Sequence, residues 1–160
     1  MFELMDQKAR LHSYTPRREL HGETPVPAAT LIFETVVDAD VLALFSPTLR
    51  HFLFHKAEHS PDLADEAAEA NDLRYPEITN ALKWTLELVG AVLTIEHGLG
   101  AKSDLVLPGA KVDGFQITPA QGGMVNVRFS VGAHPDERQS GKLAFLIGTE
   151  LTITLTPSPD

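Results

Sequence analysis

The residues with the most evident capacity to bind a metal are three histidines in the stretch HFLFHKAEHS, at positions 51, 55 and 59. On a helix, His51 and His55 would lie one turn apart on the same face, which is the i, i+4 spacing of helical zinc sites. His59 would lie about 12 Å along the axis from His51, too far to bind the same ion. A third ligand would have to come from elsewhere, from an acid or from His12, His21, His97 or His134. The sequence locates no such ligand, so we predict neither a metal nor a cofactor.

A second group with possible chemistry is HPDER, residues 134–138, in which His134 and Asp136 follow a predicted strand. An imidazole and a carboxylate on a rigid scaffold can act as a general acid and base, so a hydrolase using both is one alternative. Asp136 and Glu137 are also the types expected where a helix begins, because they cap free N–H groups and complement the dipole. Helix capping therefore accounts for Asp136 and Glu137 without catalysis. We predict that the protein is not an enzyme.

Six basic residues form the candidate nucleic-acid surface. Four of them lie in the first 24 residues, which are locally basic, and the other two lie next to Trp84 and Phe129 in predicted strands. Adjacent residues of a strand point to opposite faces. We therefore expect both rings to lie in the core and both cations to lie on the surface. Cations on a surface can contact the phosphates of a nucleic-acid backbone. The six residues are Lys8, Arg10, Arg17, Arg18, Lys83 and Arg128.

The acidity of the chain is concentrated in one segment. The net charge is −9 at pH 7, and between Glu58 and Glu77 seven acids and one base contribute −6 of it. The total argues against a general duplex binder, since duplex binding depends on cations that replace counterions. We predict that residues 60–76 are an exposed acidic segment. If this segment imitates the charge of a nucleic acid, its candidate partner-binding residues are Asp65, Glu66 and Glu69.

The elements that must position these residues are predicted to be mostly antiparallel strands. We expect residues 1–24 to form an irregular basic arm with one short strand, and a helix to begin near Val41 with a possible break at Ser46-Pro47. A second helix is predicted after Asp136. Alternating apolar residues predict a strand ending near Val37 and a hairpin over 82–95 that turns at Gly90-Ala91. They also predict a short edge strand stopped by Pro108, a hairpin joined by residues 121–123, and a final strand before Pro157.

These elements predict a mainly β (α+β) fold, an antiparallel β-sandwich or open barrel with about six or seven strands and two packed helices. The 160 residues, 43% hydrophobic and 22% charged, suit one globular domain over 1–160. Exposed strand edges in such a fold favour a homo-oligomer.

The absence of cysteine excludes disulfides and a cysteine nucleophile and suits a reducing compartment. The N-terminal residues lack the apolar core of a signal peptide. No apolar run approaches the roughly 18 residues of a membrane span. We expect a cytoplasmic protein that does not contact a membrane.

Three further stretches are LRYPEITNALKWTLE, KVDGFQITPAQGGMVNVRFSV and HPDERQSGKLAFLI. They resemble a family of small uncharacterised proteins of tailed phages and prophages, some of which lie near recombination and replication genes. The resemblance implies a setting, and it assigns no catalytic or binding residue.

We predict from this setting a non-enzymatic phage accessory protein of the host-cell cytoplasm that binds single-stranded DNA or assists recombination. Two alternatives stay open. One is a protein that binds and inhibits a host defence or nuclease through the acidic segment. The other is a small structural protein of the virion.

Overall fold

The computed structural model describes residues 2–56, 71–97 and 103–158. Six long antiparallel strands form a barrel, with a short strand beside it and a separate two-stranded sheet. The strands are β1 (Leu4–His21), β2 (Thr24–Asp38), β3 (Phe54–His55), β4 (Asp72–Leu73), β5 (Leu82–Trp84), β6 (Leu88–Ile95), β7 (Leu105–Ala120), β8 (Met124–Ala133) and β9 (Glu150–Thr156). The helices are a 3-10 helix (Ala39–Leu44), α1 (Leu49–Leu53) and α2 (Glu137–Leu146). None of the described helices combines the length and apolar character needed to cross a bilayer.

The barrel is closed by pairing between β8 and β7. The order of neighbours is β7, β6, β9, β1, β2 and β8, and β8 pairs back with β7. The predicted mainly β antiparallel fold is confirmed, in its barrel form. Closure removes most strand edges, and in the described part of the chain free edges are left at β5 and in the β3–β4 pair. The expected homo-oligomer stays a prediction.

Aromatic side chains fill the interior of the barrel. Phe33 and Phe115 stack on either side of Phe129, with ring centroids 5.8 and 6.0 Å from it. Phe2 packs edge-on against Phe115 at 4.9 Å. All four side chains are buried, and burial of each contributes about 1.5–3 kcal/mol to stability. The phenylalanine rings of the barrel strands are therefore directed inward.

Strand β1 replaces the irregular arm predicted over residues 1–24. It runs for 18 residues and pairs with β2 on one side and β9 on the other. Its register with β9 shifts between Leu4 and Gln7, where Asp6 has a φ of 45°. This irregularity interrupts the period-two pattern by which a strand is recognised. The prediction was wrong because pairing with two neighbours, rather than local periodicity, keeps this segment extended.

The predicted hairpin over residues 82–95 is also wrong. Strands β5 and β6 each pair with β7 and not with each other. Gly90, the expected turn residue, lies inside β6 with a φ of 78°, at a register shift between Leu88 and Ala91. Likewise β7 continues through Pro108, because Pro108 and Gly109 form a bulge opposite one residue of β6. At a bulge the missing proline N–H removes no ladder hydrogen bond.

The helical region that was to carry the histidine pair is shorter than predicted. The break at Ser46-Pro47 falls between the 3-10 helix and α1, as expected. However, α1 ends at Leu53, so His51 is helical whereas His55 belongs to strand β3. The i, i+4 pair on one helix face is therefore not formed. His59 lies outside the described residues.

Several elements match their predictions, among them β2, which ends at Asp38, and the final strand β9, which ends at Thr156. The β7–β8 hairpin turns through residues 121–123. Helix α2 begins after Asp136, whose side chain accepts a hydrogen bond from the Gln139 N–H at 2.8 Å, while the Gln139 side chain accepts from the Asp136 N–H at 3.0 Å. This reciprocal capping box confirms the structural role predicted for Asp136. Leu143 of α2 is buried in the core, and the Ser140 and Tyr14 hydroxyl groups are 2.5 Å apart.

Candidate functional site

Three of the six predicted nucleic-acid residues lie in one row across the outside of the barrel. The strand register places Arg10 of β1 opposite Glu34 of β2, and Glu34 opposite Arg128 of β8. Arg128 in turn lies opposite Gln116 of β7, and Gln116 opposite Lys83 of β5. We call these five residues the outer-face row. At about 4.8 Å between neighbouring strands, the row spans about 19 Å of the barrel wall.

The outward direction of this row follows from the burial of its neighbours along each strand. Arg128 lies between Val127 and Phe129, which are both buried. Lys83 is exposed, whereas Trp84 packs against the hydrophobic core. The prediction that the rings of Trp84 and Phe129 belong to the core and the adjacent cations to the surface is confirmed.

The three cations of the row have no protein partner in the described ranges. Arg10, Lys83 and Arg128 form no hydrogen bond or ion pair there through their side chains. Lys8, two residues before Arg10, differs, since its Nζ lies 3.7 Å from Glu150. Both of those groups are exposed, and a pair of this kind contributes little to stability. All four cationic groups are therefore accessible to an anionic ligand.

A depression of about 310 Å³ in the barrel wall adjoins Lys8 and Arg10. It forms where the β1–β2 ladder stops at the Arg10–Glu34 pair. Beyond that point the buried Thr35 hydroxyl donates to the Lys8 carbonyl at 2.6 Å and so satisfies a strand acceptor that the ladder does not reach. The wall therefore opens beside the cations without leaving this carbonyl unpaired.

Arg17 and Arg18 lie near the other end of β1, about 23 Å along the strand from Arg10. Arg17 donates from Nε to the Thr30 hydroxyl at 3.1 Å, and its Nη1 contacts Oε1 of Glu19. Arg18 is exposed and lines a cavity of about 450 Å³ between the β1–β2 hairpin and the start of α2. The structure therefore separates these two arginines from the outer-face row.

A second group of ionisable residues, which we call the Glu19 cluster, consists of Glu19, His21 and His134. Nε2 of His134 lies 2.7 Å from Oε2 of Glu19, and Nε2 of His21 lies 3.4 Å from the same oxygen. The two imidazole rings meet edge-on, with centroids 5.8 Å apart. His134 was a candidate for acid–base chemistry with Asp136, but its partner in the structure is Glu19.

The β1–β2 hairpin and the end of β8 position this cluster. Glu19 and His21 are two residues apart on β1 and so share a face of the strand. Gly22, the first residue of the two-residue turn, has a φ of 68°, which suits a type II′ turn and directly follows His21. His134 comes directly after β8 and is followed by the buried Pro135. All three side chains therefore start from restrained backbone.

The electrostatic environment of Glu19 favours its carboxylate form. Hydrogen bonds from His134, Arg17 and His21, in that order of effect, lower the pKa of Glu19 from 4.5 to about 2. Glu19 is thus ionised at neutral pH. One carboxylate and two imidazoles are also groups that serve as ligands to divalent transition-metal ions in proteins.

The remaining candidate residues belong to the acidic segment. Asp65, Glu66 and Glu69, proposed for partner binding, lie outside the described residues, as does most of the acidic segment predicted over 60–76. The described part of that segment contains β4, which pairs with β3.

Comparison with known proteins gives no relative for this chain: no family model, no curated protein and no solved structure matches it. Ligand binding is therefore inferred from the geometry of the outer-face row and of the Glu19 cluster.

Proposed function

We propose that this protein binds single-stranded DNA through the outer-face row and acts as a non-enzymatic accessory protein in phage recombination. The observation that supports DNA binding is the alignment of Arg10, Arg128 and Lys83, which come from three distant parts of the sequence. The phage setting rests on the sequence resemblance alone.

The spacing of the three cations suits a chain of negative charges that crosses the strands. Arg10 and Arg128 are two strands apart, and so are Arg128 and Lys83, which gives about 10 Å between successive cations. Because these side chains have no protein partner in the described ranges, binding a phosphate would break no existing ion pair. Lys8 extends the basic surface beside Arg10.

The composition of the wall indicates what kind of contact is made. Proteins that stack bases present aromatic rings on the binding face, but the phenylalanines of the barrel strands are directed inward. The row therefore offers contacts to phosphates, which position a nucleic acid without reading its sequence. We expect binding with little preference among bases.

Curvature favours a single strand over a duplex. Four residues of the row lie on the wall of the closed six-stranded barrel, and Lys83 lies on the adjoining β5. A flexible single strand can follow this curved surface. A duplex, with a persistence length of about 150 base pairs, stays straight over the length of this row. Fewer of the cations would then reach phosphates at the same time.

Glu34 limits the affinity. It lies between Arg10 and Arg128 in the register, so its carboxylate would face the same phosphates. We expect Glu34→Gln to strengthen DNA binding, which is the opposite of the usual result of altering a binding surface.

Fluorescence anisotropy at low salt tests the proposal, with a labelled thymidine oligonucleotide longer than the about 4–16 nucleotides that one OB-fold domain covers in other single-strand-binding proteins. The variant Arg10→Gln/Lys83→Gln/Arg128→Gln should weaken binding by about 10- to 100-fold, because three charge-assisted contacts are lost. Glu34→Gln should strengthen it.

The matched control is Lys111→Gln/Arg138→Gln/Lys142→Gln, which changes the net charge equally at cations outside the row. It should bind nearly as well as the wild type. Equal losses in the two triple variants would show that only net charge matters. Absence of wild-type binding to single strands, or tighter binding to a duplex of the same length, would refute the proposal.

A further inference from the structure

The Glu19 cluster has a geometry that the proposed DNA binding does not use. The three ligand atoms, one from each of Glu19, His21 and His134, lie within 4.8 Å of one another. Both Nε2 atoms are directed at one oxygen, Oε2 of Glu19, at 2.7 and 3.4 Å. Three donors that converge from two separate segments of the chain define a point between them.

Arg17 holds the carboxylate in the orientation that such a point requires. Its Nη1 contacts Oε1 of Glu19, so Oε2 is the oxygen left for the histidines. Arg17 is itself restrained by its hydrogen bond to the Thr30 hydroxyl. An outer partner that orients a ligating carboxylate is a regular feature of protein metal sites.

We propose that Glu19, His21 and His134 bind a divalent transition-metal ion, with Zn²⁺ as the best fit. Two imidazoles and one carboxylate, with metal–ligand distances of about 2.0–2.2 Å, form a known three-residue set for zinc, completed by water. Calcium and magnesium prefer sites made of oxygen donors, so they fit this donor set poorly. The contacts of 2.7 and 3.4 Å leave room for the ion after a small outward movement of the rings.

The position of the cluster defines what the ion would do. Glu19 and His21 belong to the tip of the β1–β2 hairpin, whereas His134 lies at the junction between β8 and α2. An ion shared by the three residues would join these two parts of the molecule. We therefore expect bound metal to raise the thermal stability of the protein.

The affinity for the metal ion is limited because the histidines lack outer hydrogen bonds. Within the described ranges, the Nδ1 atoms of His21 and His134 have no hydrogen-bond partner. Partners at that position improve metal affinity by about 10- to 100-fold in proteins. We expect reversible binding that a chelator readily removes, rather than a permanently bound ion.

Titration calorimetry with Zn²⁺ alone tests the proposal on the full chain, after treatment with EDTA. We expect one ion per chain, and loss of this binding in His134→Gln and in Glu19→Gln. Co²⁺ should give visible absorption bands of low-coordinate cobalt with the wild type but not with either variant. The Tm of the wild type should rise with added Zn²⁺, and that of both variants should not.

The matched controls are His12→Gln and His51→Gln, which remove exposed histidines outside the cluster. Both should retain the stoichiometry and affinity of the wild type. Thermal unfolding in EDTA checks that each variant is folded, so that lost binding is not lost structure. The proposal is overturned by the absence of Zn²⁺ binding to the wild type, or by binding that persists in His134→Gln and Glu19→Gln.

Discussion

At the scale of single residues, the ionisation of Glu19 makes the stability of the fold depend on pH. Its pKa is lowered from 4.5 to about 2, first by His134 and then by Arg17 and His21. Because the folded-state pKa lies below the unfolded value, the carboxylate stabilises the fold at pH values above about 4.5. This contribution is lost as the pH falls from 4.5 toward 2. We expect Glu19→Gln to lower the Tm at neutral pH, with a deficit that shrinks through this window, as measured by calorimetry in EDTA.

The control for this effect is Glu23→Gln in the adjacent hairpin turn. Glu23 is exposed and accepts no side-chain hydrogen bond among the described residues, so its replacement should change the Tm little at any pH. A Glu19→Gln deficit that stayed constant between neutral pH and pH 2 would mean that the ionised carboxylate is not what stabilises the hairpin.

Individual residues were predictable where their neighbours in the sequence decide their environment. Alternation along a strand separates Lys83 from Trp84 and places one outside and the other against the core. The contact between Glu19 and His134 joins residues 115 positions apart. It depends on how β1, β2 and β8 lie side by side, and no local pattern encodes that. The spacing of Glu19 and His21 is visible in the sequence, but it has meaning only once β1 is known to be a strand.

At the scale of elements, the start of α2 depends on one side chain. The Asp136 carboxylate accepts from the Gln139 N–H at 2.8 Å and satisfies a donor that the helix itself cannot pair. We expect Asp136→Ala to lower the free energy of unfolding by about 1 kcal/mol, within a range of about 0.5–2 kcal/mol, in urea titrations. Glu137→Ala removes an acid from the same turn but no cap, and should cost less. Equal losses from the two variants would indicate that the helix dipole, and not the cap, is responsible.

Elements were predicted correctly where their ends carry local signals, and wrongly where a pairing partner sets them. The two glycines of the β7–β8 turn and the capping residues of α2 define their elements directly. Gly90 and Pro108 are typical turn and strand-ending residues, yet here both occur at bulges within long strands. A bulge is compatible with strand continuation because the neighbouring strand still pairs on either side of it. Local sequence cannot distinguish this case from a true turn.

At the scale of the whole molecule, charge opposes the proposed function. The net charge of −9 repels a polyanion, and the row contributes three cations against the carboxylate of Glu34. Repulsion between charges more than a Debye length apart, about 8 Å at physiological ionic strength, is largely screened. Binding should then depend on the contacts within the row rather than on the net charge of the chain.

The salt dependence of DNA affinity measures those contacts. Each phosphate neutralised on a single strand contributes about −0.7 to the slope of log K against log salt concentration. Three row cations should therefore contribute about −2 to the slope, and Arg10→Gln/Lys83→Gln/Arg128→Gln should remove this contribution. Anisotropy titrations between about 50 and 200 mM salt determine the slope. The triple variant at Lys111, Arg138 and Lys142 should keep the wild-type slope even though its net charge is the same as that of the row variant. A slope that changes equally in both variants would mean that phosphates contact the whole surface and that the row has no special role.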